Sequence, residues 1–294
     1  MLQNPLTPAE QNALRRLIDW SLTEDLGWTG DVTTLALIGP QDVGRVAVVA
    51  REAGVLAGGC VLPELFGLLD SRVRIDLLVP DGAVLKTGQV VARISGPLRA
   101  LLTGERTALN FLLRLSGVAT LTSHYVAQAT GTRAGIYDTR KTFPGWRLLD
   151  KYAVRAGGGR NHRIGLYDQI LIKDNHLAGW QSLSGEHSLP GAIRRCREMY
   201  PQLVLEIEVD TLAQLEQVLP AQPDIVLLDN MSPQQLAEGA ALRDRLAPRV
   251  ELEASGGVSL PTVAAIARTG VERISVGGLT HSARALDLAF DWEG

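Results

Sequence analysis

Cysteine is nearly missing from this chain: Cys60 and Cys196 stand far apart and outside any paired-thiolate spacing. That excludes a disulfide framework and a structural zinc site, and it fits a reducing compartment. A surplus of either charge is also lacking. The formal net charge is −3, which excludes a dedicated nucleic-acid binder with its broad basic face. No charge-free apolar run approaches the ~20 residues that span a bilayer. The first residues, Met-Leu-Gln-Asn-Pro, have neither the basic nor the apolar region of a signal peptide. The expectation is a cytoplasmic protein that contacts no membrane and no nucleic acid. What is present describes a globular fold: 294 residues, 46% hydrophobic and 21% charged, enough for one large domain or two ordinary ones.

Thr7-Pro8-Ala9-Glu10 predicts a helix start, with a threonine cap, proline at the first helical position and glutamate two residues later. Leu14, Leu17, Ile18 and Leu22 continue it at helical spacing, and Gly27 stops it. Residues 28–34 read as a polar loop. From 43 to 97 the pattern is mostly β, with a short helix at 61–69, strands near 72–79 and 89–95, and a turn at Pro80-Asp81-Gly82. This predicts an α+β layer with its own core. Residues 97–115 are helical, and Ser116-Gly117 reads as a break and domain boundary, with a new helix at 118–130. Arg106 on the first of these helices is either a snorkelling surface residue or a cation presented to another subunit.

After residue 133 the rhythm becomes strand–helix. Strands are expected at 134–138, 169–173, 203–209, 225–229, 250–254 and 273–276, with helices at 189–199, 212–219, 232–246 and 261–269. A polar insertion over 179–189 is a lid or a long loop. Such alternation predicts a parallel sheet with helical crossovers. The segment is shorter than the ~250 residues of a full eight-stranded barrel, so an incomplete barrel is favoured over an open doubly wound sheet.

Residues 138–176 concentrate the cations Arg140, Lys141, Arg147, Lys151, Arg155, Arg160, Arg163 and Lys173, with His162 and His176 beside them. In a mildly acidic protein this suggests a focused site for a small polyanion. The competing reading is a solvated face with scattered salt bridges. Barrel chemistry gathers at the C-terminal ends of strands, and those ends are informative. Cations come first, at Thr139-Arg140-Lys141 and Lys173. Carboxylates follow at Glu208 and Asp229, then the glycine turns Ser255-Gly256-Gly257 and Val276-Gly277-Gly278. Glycine pairs before helices expose backbone N–H groups to an anion. Glu208 and Asp229 would hold Mg²⁺ through carboxylate and substrate oxygens, orient sugar hydroxyls, or pair with the barrel's cations. His162 and His176 lie in no metal-ligand spacing, so an anion contact or a structural hydrogen bond suits both.

The run Asp138-Thr139-Arg140-Lys141-Thr142, followed by Pro144-Gly145, Lys151-Tyr152-Ala153-Val154, Gly157-Gly158-Gly159, Asn161-His162-Arg163 and Leu171-Ile172-Lys173-Asp174-Asn175-His176, resembles the quinolinate phosphoribosyltransferase family. Glu105-Arg106, Glu206-Ile207-Glu208-Val209-Asp210, Leu227-Leu228-Asp229-Asn230 and Glu253-Ala254-Ser255-Gly256-Gly257 extend the resemblance over essentially the whole chain. It implies an N-terminal α/β sandwich domain over 1–116, joined by the tail at 280–294, and an incomplete, seven-stranded α/β barrel over 117–279. It further implies a homodimer or higher even oligomer, with Arg106 reaching the neighbour's site. Arg106, Thr139, Arg140, Lys141, His162, Arg163 and Lys173 would surround the acid and the phosphates. Glu208 and Asp229 would serve the ribose hydroxyls and Mg²⁺, and Ser255, Gly256, Gly257, Val276, Gly277 and Gly278 the 5-phosphate. Lys141, Lys173, Glu208 and Asp229 would carry the chemistry. The implied reaction joins quinolinate and phosphoribosyl pyrophosphate into nicotinate mononucleotide, with loss of pyrophosphate and carbon dioxide, in NAD biosynthesis. Phe143 and Trp146 depart from the usual run, where Thr and Leu are more common, and are read as altered packing or pocket edge.

The chemistry agrees with the resemblance. Bringing a dicarboxylate to a polyphosphate calls for planar arginine forks and compact lysine charges. Rivals are a pyrophosphorylase of the same fold acting on another acid, a Schiff-base aldolase using Lys173 or Lys141, and a non-catalytic phosphate-sensing protein.

Overall fold

The computed structural model describes residues 6–182 and 188–293, so 183–187 of the expected insertion lie outside the described residues. The chain divides into two compact units. One comprises the residues up to Ser123, Thr142–Gly158 and those from Leu279 onward; the other comprises His124–Lys141 and Gly159–Gly278. The basic stretch is thus divided, with 142–158 in the first unit although the barrel was expected to hold it all.

In the first unit, helix Pro8–Leu26 opens on the expected capping box, Thr7 N–H donating to Glu10 and Glu10 N–H to Thr7 Oγ1. Glu10 has a second task. It is buried and accepts both Arg155 Nη1 at 2.8 Å and Arg155 Nη2 at 3.0 Å, which ties this helix to helix Arg147–Ala156. The expected loop at 28–34 is corrected: Asp31 caps a short helix, Val32–Leu37, by accepting Thr34 N–H at 3.0 Å. Strands β1 (Val43–Ala50), β2 (Gly54–Val55), β3 (Arg74–Leu77), β4 (Val84–Leu85) and β5 (Val90–Pro97) follow. An antiparallel sheet places β1 between β5 and the C-terminal strand Leu288–Trp292, with β3 outside β5; β2 and β4 form a separate pair. Helix Val61–Leu69 packs on the sheet through Phe66, whose ring stacks on Phe290 at 6.5 Å.

The expected break at Ser116-Gly117 does not occur. Leu98–Ala129 is one helix of 32 residues. Both residues serve close crossings instead. Buried Ser116 Oγ accepts Ala57 N–H at 3.0 Å and donates to the Ala57 carbonyl at 3.1 Å. At Gly117 a Cβ would overlap the Arg284 carbonyl oxygen and lie 3.0 Å from its carbon. On the same helix, Arg114 forks onto buried Asp150 at 2.9 and 3.0 Å and stacks over Phe143, while Trp146 packs on Phe111 at 5.1 Å. Phe143 and Trp146, the two departures from the family run, thus contact Arg114 and Phe111, with Phe143 half exposed.

In the second unit, β6 (Gly135–Tyr137), β7 (Ile170–Ile172), β8 (Leu205–Val209), β9 (Ile225–Asp229), β10 (Glu251–Ser255) and β11 (Arg273–Ser275) pair in parallel in the order β6-β11-β10-β9-β8-β7. Beyond β6, Arg160 adds a single parallel bridge to Tyr137 in place of a seventh full strand. The ring stays open there, giving the incomplete α/β barrel. Helices Leu189–Met199, Leu212–Val218, Pro233–Leu246 and Leu260–Ala267 lie between the later strands, and Ser232 and Gln235 form the expected second capping box.

The strands alternate in an unusual sense. Leu205, Ile207, Val209, Val226, Leu228, Leu252, Ala254 and Ile274 form one apolar, buried set. The other set carries Glu206, Glu208, Asp229, Glu253, Ser255, Arg273 and Ser275, in register across β8 to β11. Barrel interiors are ordinarily filled with branched apolar side chains. This one holds ionised groups, each of which must find a partner inside.

Candidate active site

A cavity of about 390 Å³ opens at the C-terminal ends of the strands, lined by Thr139, Arg140, Lys141, His162, Arg163, Lys173, Glu208, Asp229, Glu253, Ser255 and Ser275, with Leu171 and Leu227 at its apolar wall. A second hollow of about 440 Å³, lined by Leu171, Ile172, Leu177, Trp180 and Cys196, holds almost none of the strand-end charges. The polar cavity is therefore the candidate site.

Its cationic side starts where β6 ends. Asp138, fully buried, accepts Asn161 Nδ2 at 2.6 Å and His162 N–H at 2.8 Å, fastening residues 160–163 beside β6. Thr139 Oγ1 accepts Lys141 N–H at 3.0 Å and shapes the turn that presents Arg140 and Lys141. Arg140 Nε is buried and has no hydrogen-bond partner among the described residues. Arg163 is buried too, with Nη1 donating to the Gln169 carbonyl at 3.2 Å. Burial, and then the charge of Arg140 beside it, push its guanidinium below the usual arginine range. Two guanidiniums brought together with an unsatisfied donor make a receptor for an anion.

The opposite side is acidic. Glu208 and Asp229 sit at the ends of adjacent strands, and Lys173 Nζ donates to Glu208. Asn230, held at φ 54, donates Nδ2 to Asp229 Oδ2 at 2.7 Å. Gly256 has φ +88, and a Cβ there would lie 2.6 Å from Asn230 Cγ and 2.9 Å from Asn230 N. That glycine is required by its neighbour as well as by its backbone. Ser255 lines the cavity, whereas Gly256, Gly257, Val276, Gly277 and Gly278 are absent from its wall, Val276 being buried. Arg106 belongs to the first unit, exposed on its helix and absent from this wall, and His176 lines the apolar hollow instead.

Sequence reasoning missed the floor of the cavity. His162 Nε2 lies 3.1 Å from Glu206 Oε2 and 3.4 Å from Glu253 Oε1, all three side chains buried. Arg273 Nε donates to Glu253 Oε2 at 2.6 Å and its guanidinium lies 3.9 Å from the Tyr137 ring centroid; Gln169 Nε2 donates to Glu206 Oε2 at 2.6 Å. Burial would lower the imidazole pKa, but the hydrogen bonds and charges of the two carboxylates outweigh it, raising His162 to about 9. Burial and then repulsion from Glu253 hold Glu206 above the carboxylate range. Burial acts on Glu253 in the same sense, yet His162 and Arg273 together keep it below. Nδ1 accepts Arg163 N–H at 2.7 Å, which selects the Nε2–H tautomer; a second proton would have to displace that bond. The signal for this layer was the two-residue spacing of glutamates in Leu-Glu-Ile-Glu-Val and Glu-Leu-Glu-Ala-Ser, combined with the period of a strand.

An incomplete α/β barrel with paired arginines facing paired carboxylates at its mouth defines an enzyme class that joins two anionic substrates. Comparison with known proteins narrows this. The N-terminal and C-terminal domain models of quinolinate phosphoribosyl transferase match residues 31–116 and 118–291. The chain is 45% identical over 290 residues to the nicotinate-nucleotide pyrophosphorylase [carboxylating] of Mycobacterium leprae, covering 97% of this chain and 99% of that one. It is 42% identical to the probable enzyme of that name in Bacillus subtilis, covering 95% and 93%. The solved nicotinate-nucleotide pyrophosphorylase of Francisella tularensis superposes with a TM-score of 0.89 at 35% identity, over 100% of this chain and 99% of that one. The chain belongs to the quinolinate phosphoribosyltransferase family.

Proposed function

We propose that this protein transfers phosphoribosyl from phosphoribosyl pyrophosphate to quinolinate, forming nicotinate mononucleotide, pyrophosphate and carbon dioxide for NAD biosynthesis. The observation that carries the reading is the Arg140–Arg163 pair, both lining a cavity whose other wall is acidic, with Arg140 Nε buried and without a partner among the described residues. Arg140 and Arg163 would fork onto the two carboxylates of the acid. Lys141 and Lys173 would take the phosphates, Lys173 exchanging its present partner Glu208 for a substrate oxygen. The pyridine nitrogen attacks ribose C1 as pyrophosphate departs, so no side-chain nucleophile is needed. Positive charge grows at C1 and then on the ring nitrogen, and Glu208 and Asp229 would favour it. The cationic ring then accepts the electron pair released with carbon dioxide, and a proton from water completes the product; no protein base is assigned.

Glu208 and Asp229 suit Mg²⁺, a hard cation that takes a few carboxylate oxygens and keeps waters and phosphate oxygens as its other ligands. Bound there it would neutralise the departing pyrophosphate. Ser255 and the glycine turns beyond it would hold the 5-phosphate. Arg106, exposed on its own subunit, would enter the site of a second copy in a homodimer. No helix among the described residues is long and apolar enough to cross a membrane, and the two free cysteines suit a reducing cytoplasm.

The test is product analysis after incubation with quinolinate, phosphoribosyl pyrophosphate and Mg²⁺, with nicotinate as competing acid. Nicotinate mononucleotide and carbon dioxide in equal amounts support the reading. Preference for nicotinate, or no turnover, refutes it.

A further inference from the structure

Arg163 is carried by a segment with little regular structure to hold it. Residues 160–163 have a single ladder pair, Tyr137 with Arg160, and no strand on their other side among the described residues. Asp138 fastens the segment as far as His162, accepting Asn161 Nδ2 at 2.6 Å and His162 N–H at 2.8 Å. Beyond that point Arg163 takes its support from the barrel floor. The Arg163 N–H donates to His162 Nδ1 at 2.7 Å, and Arg163 Nη1 donates to the Gln169 carbonyl at 3.2 Å. Both anchors lead to the same buried layer: His162 Nε2 faces Glu206 and Glu253, and the Gln169 side chain donates to Glu206 at 2.6 Å. Glu253 is in turn fixed by Arg273 at 2.6 Å, whose guanidinium is spread over Tyr137 of β6. The path runs from β6 through Arg273, Glu253 and His162 back to the loop that β6 itself bridges only once.

The same geometry alters the part expected of His162. Both of its ring nitrogens are already engaged by protein groups, Nδ1 by a main-chain donor and Nε2 by Glu206 Oε2 at 3.1 Å, with the otherwise unpartnered Glu253 Oε1 3.4 Å away. A group so committed has no free N–H to offer a ligand, although its ring lines the cavity.

We propose that Glu253, clamped by Arg273, is a positioning residue that acts through His162 to hold the Arg163 guanidinium in the acid-binding half of the cavity. The proposal rests on the reading that Arg163 binds the dicarboxylate substrate. Arranged in this way, a buried carboxylate held by Arg273 and facing His162 sets the affinity for one substrate and not for the other. A geometry held by supporting groups of this kind is sensitive to small displacements.

Steady-state kinetics of the full-length protein separates the possibilities. Glu253→Gln and His162→Asn are each expected to raise KM for quinolinate about tenfold or more, while KM for phosphoribosyl pyrophosphate stays within about twofold. The double variant should be no worse than the weaker-binding single, because both act along one path. Penalties that multiply, an unchanged KM for quinolinate in E253Q, or an equal rise for both substrates would overturn the proposal. Should E253Q not fold, Arg273→Lys, which keeps the charge and loosens the clamp, carries the same test with the same selective rise expected. Failure of the wild type to form nicotinate mononucleotide would instead strike the proposed reaction, so the two failures are distinguishable.

Discussion

Gly117 offers a test in which sequence and tertiary reasoning predict opposite signs. Inside a helix, replacing glycine by alanine usually stabilises by about 0.5–1 kcal/mol, because the glycine backbone loses more entropy on folding. If Ser116-Gly117 ended one helix and began another, Gly117→Ala would be neutral or helpful. In the structure the added Cβ would overlap the Arg284 carbonyl oxygen and sit 3.0 Å from its carbon and 3.1 Å from Ala285 Cα. These are backbone atoms of a fixed segment. Leu286 N–H donates to the Leu113 carbonyl at 3.0 Å, Asp287 N–H to Glu52 at 2.9 Å, and Arg284 pairs with the same Glu52. Ordinary carbon contacts lie at about 3.5–4.0 Å, so the segment must move outward and strain those bonds. Overpacking of this kind costs about 1–3 kcal/mol, which exceeds the helix gain. The expected net destabilisation is about 1–2 kcal/mol, read as a fall in thermal midpoint of about 2–4 °C per kcal/mol. Gly67, in helix Val61–Leu69, has nothing within 4 Å of the place a Cβ would take. It is the control: Gly67→Ala should raise the midpoint. If G117A is as stable as the wild type or more so, the crossing argument is wrong.

Arg140→Ala and Arg163→Ala should each weaken quinolinate binding by at least tenfold with little change in thermal midpoint; titration calorimetry with quinolinate checks this, and unchanged affinity would refute the anion receptor. Arg106→Ala should be inactive alone and regain activity when mixed with a Lys141→Ala partner, since one hybrid site then holds both cations; no recovery on mixing would refute the shared site.

Much of the barrel was legible in the chain. Ile225–Asp229 and Leu189–Met199 occupy the expected ranges, and Pro233–Leu246 begins one residue after its cap, Ser232. Local chemistry decides such elements: a side-chain oxygen satisfies orphan N–H groups, and strand or helix periodicity follows. The same local rules misread Asp31, whose cap starts a helix inside a presumed loop, and Ser116-Gly117, whose small size answers segments far away in sequence. Of the cavity wall, Thr139, Arg140, Lys141, Lys173, Glu208, Asp229 and Ser255 were read from strand ends, and His162 and Arg163 from the basic stretch and the family resemblance; the structure brings them together. The glycines beyond Ser255 and Val276 were nominated by the same logic, yet Gly256 answers first to Asn230.

By itself the sequence determined the alternation of strand and helix, the crowding of cations in 138–176, and the two-residue spacing of acids in β8 and β10. Alternation defines two faces of a strand without saying what each will meet. In most sheets the charged face turns to water; here the sheet curls, the helices cover the apolar face, and the charged face becomes the interior. Only that closure sets Glu206, Glu253 and Arg273 against His162, because their meeting depends on register across neighbouring strands. The division of the basic stretch between two units was likewise a tertiary decision. Helix Arg147–Ala156 goes with the first unit because Asp81, Asp150 and Glu10 find their partners Tyr152, Arg114 and Arg155 there, and buried charges are stable only where a partner waits.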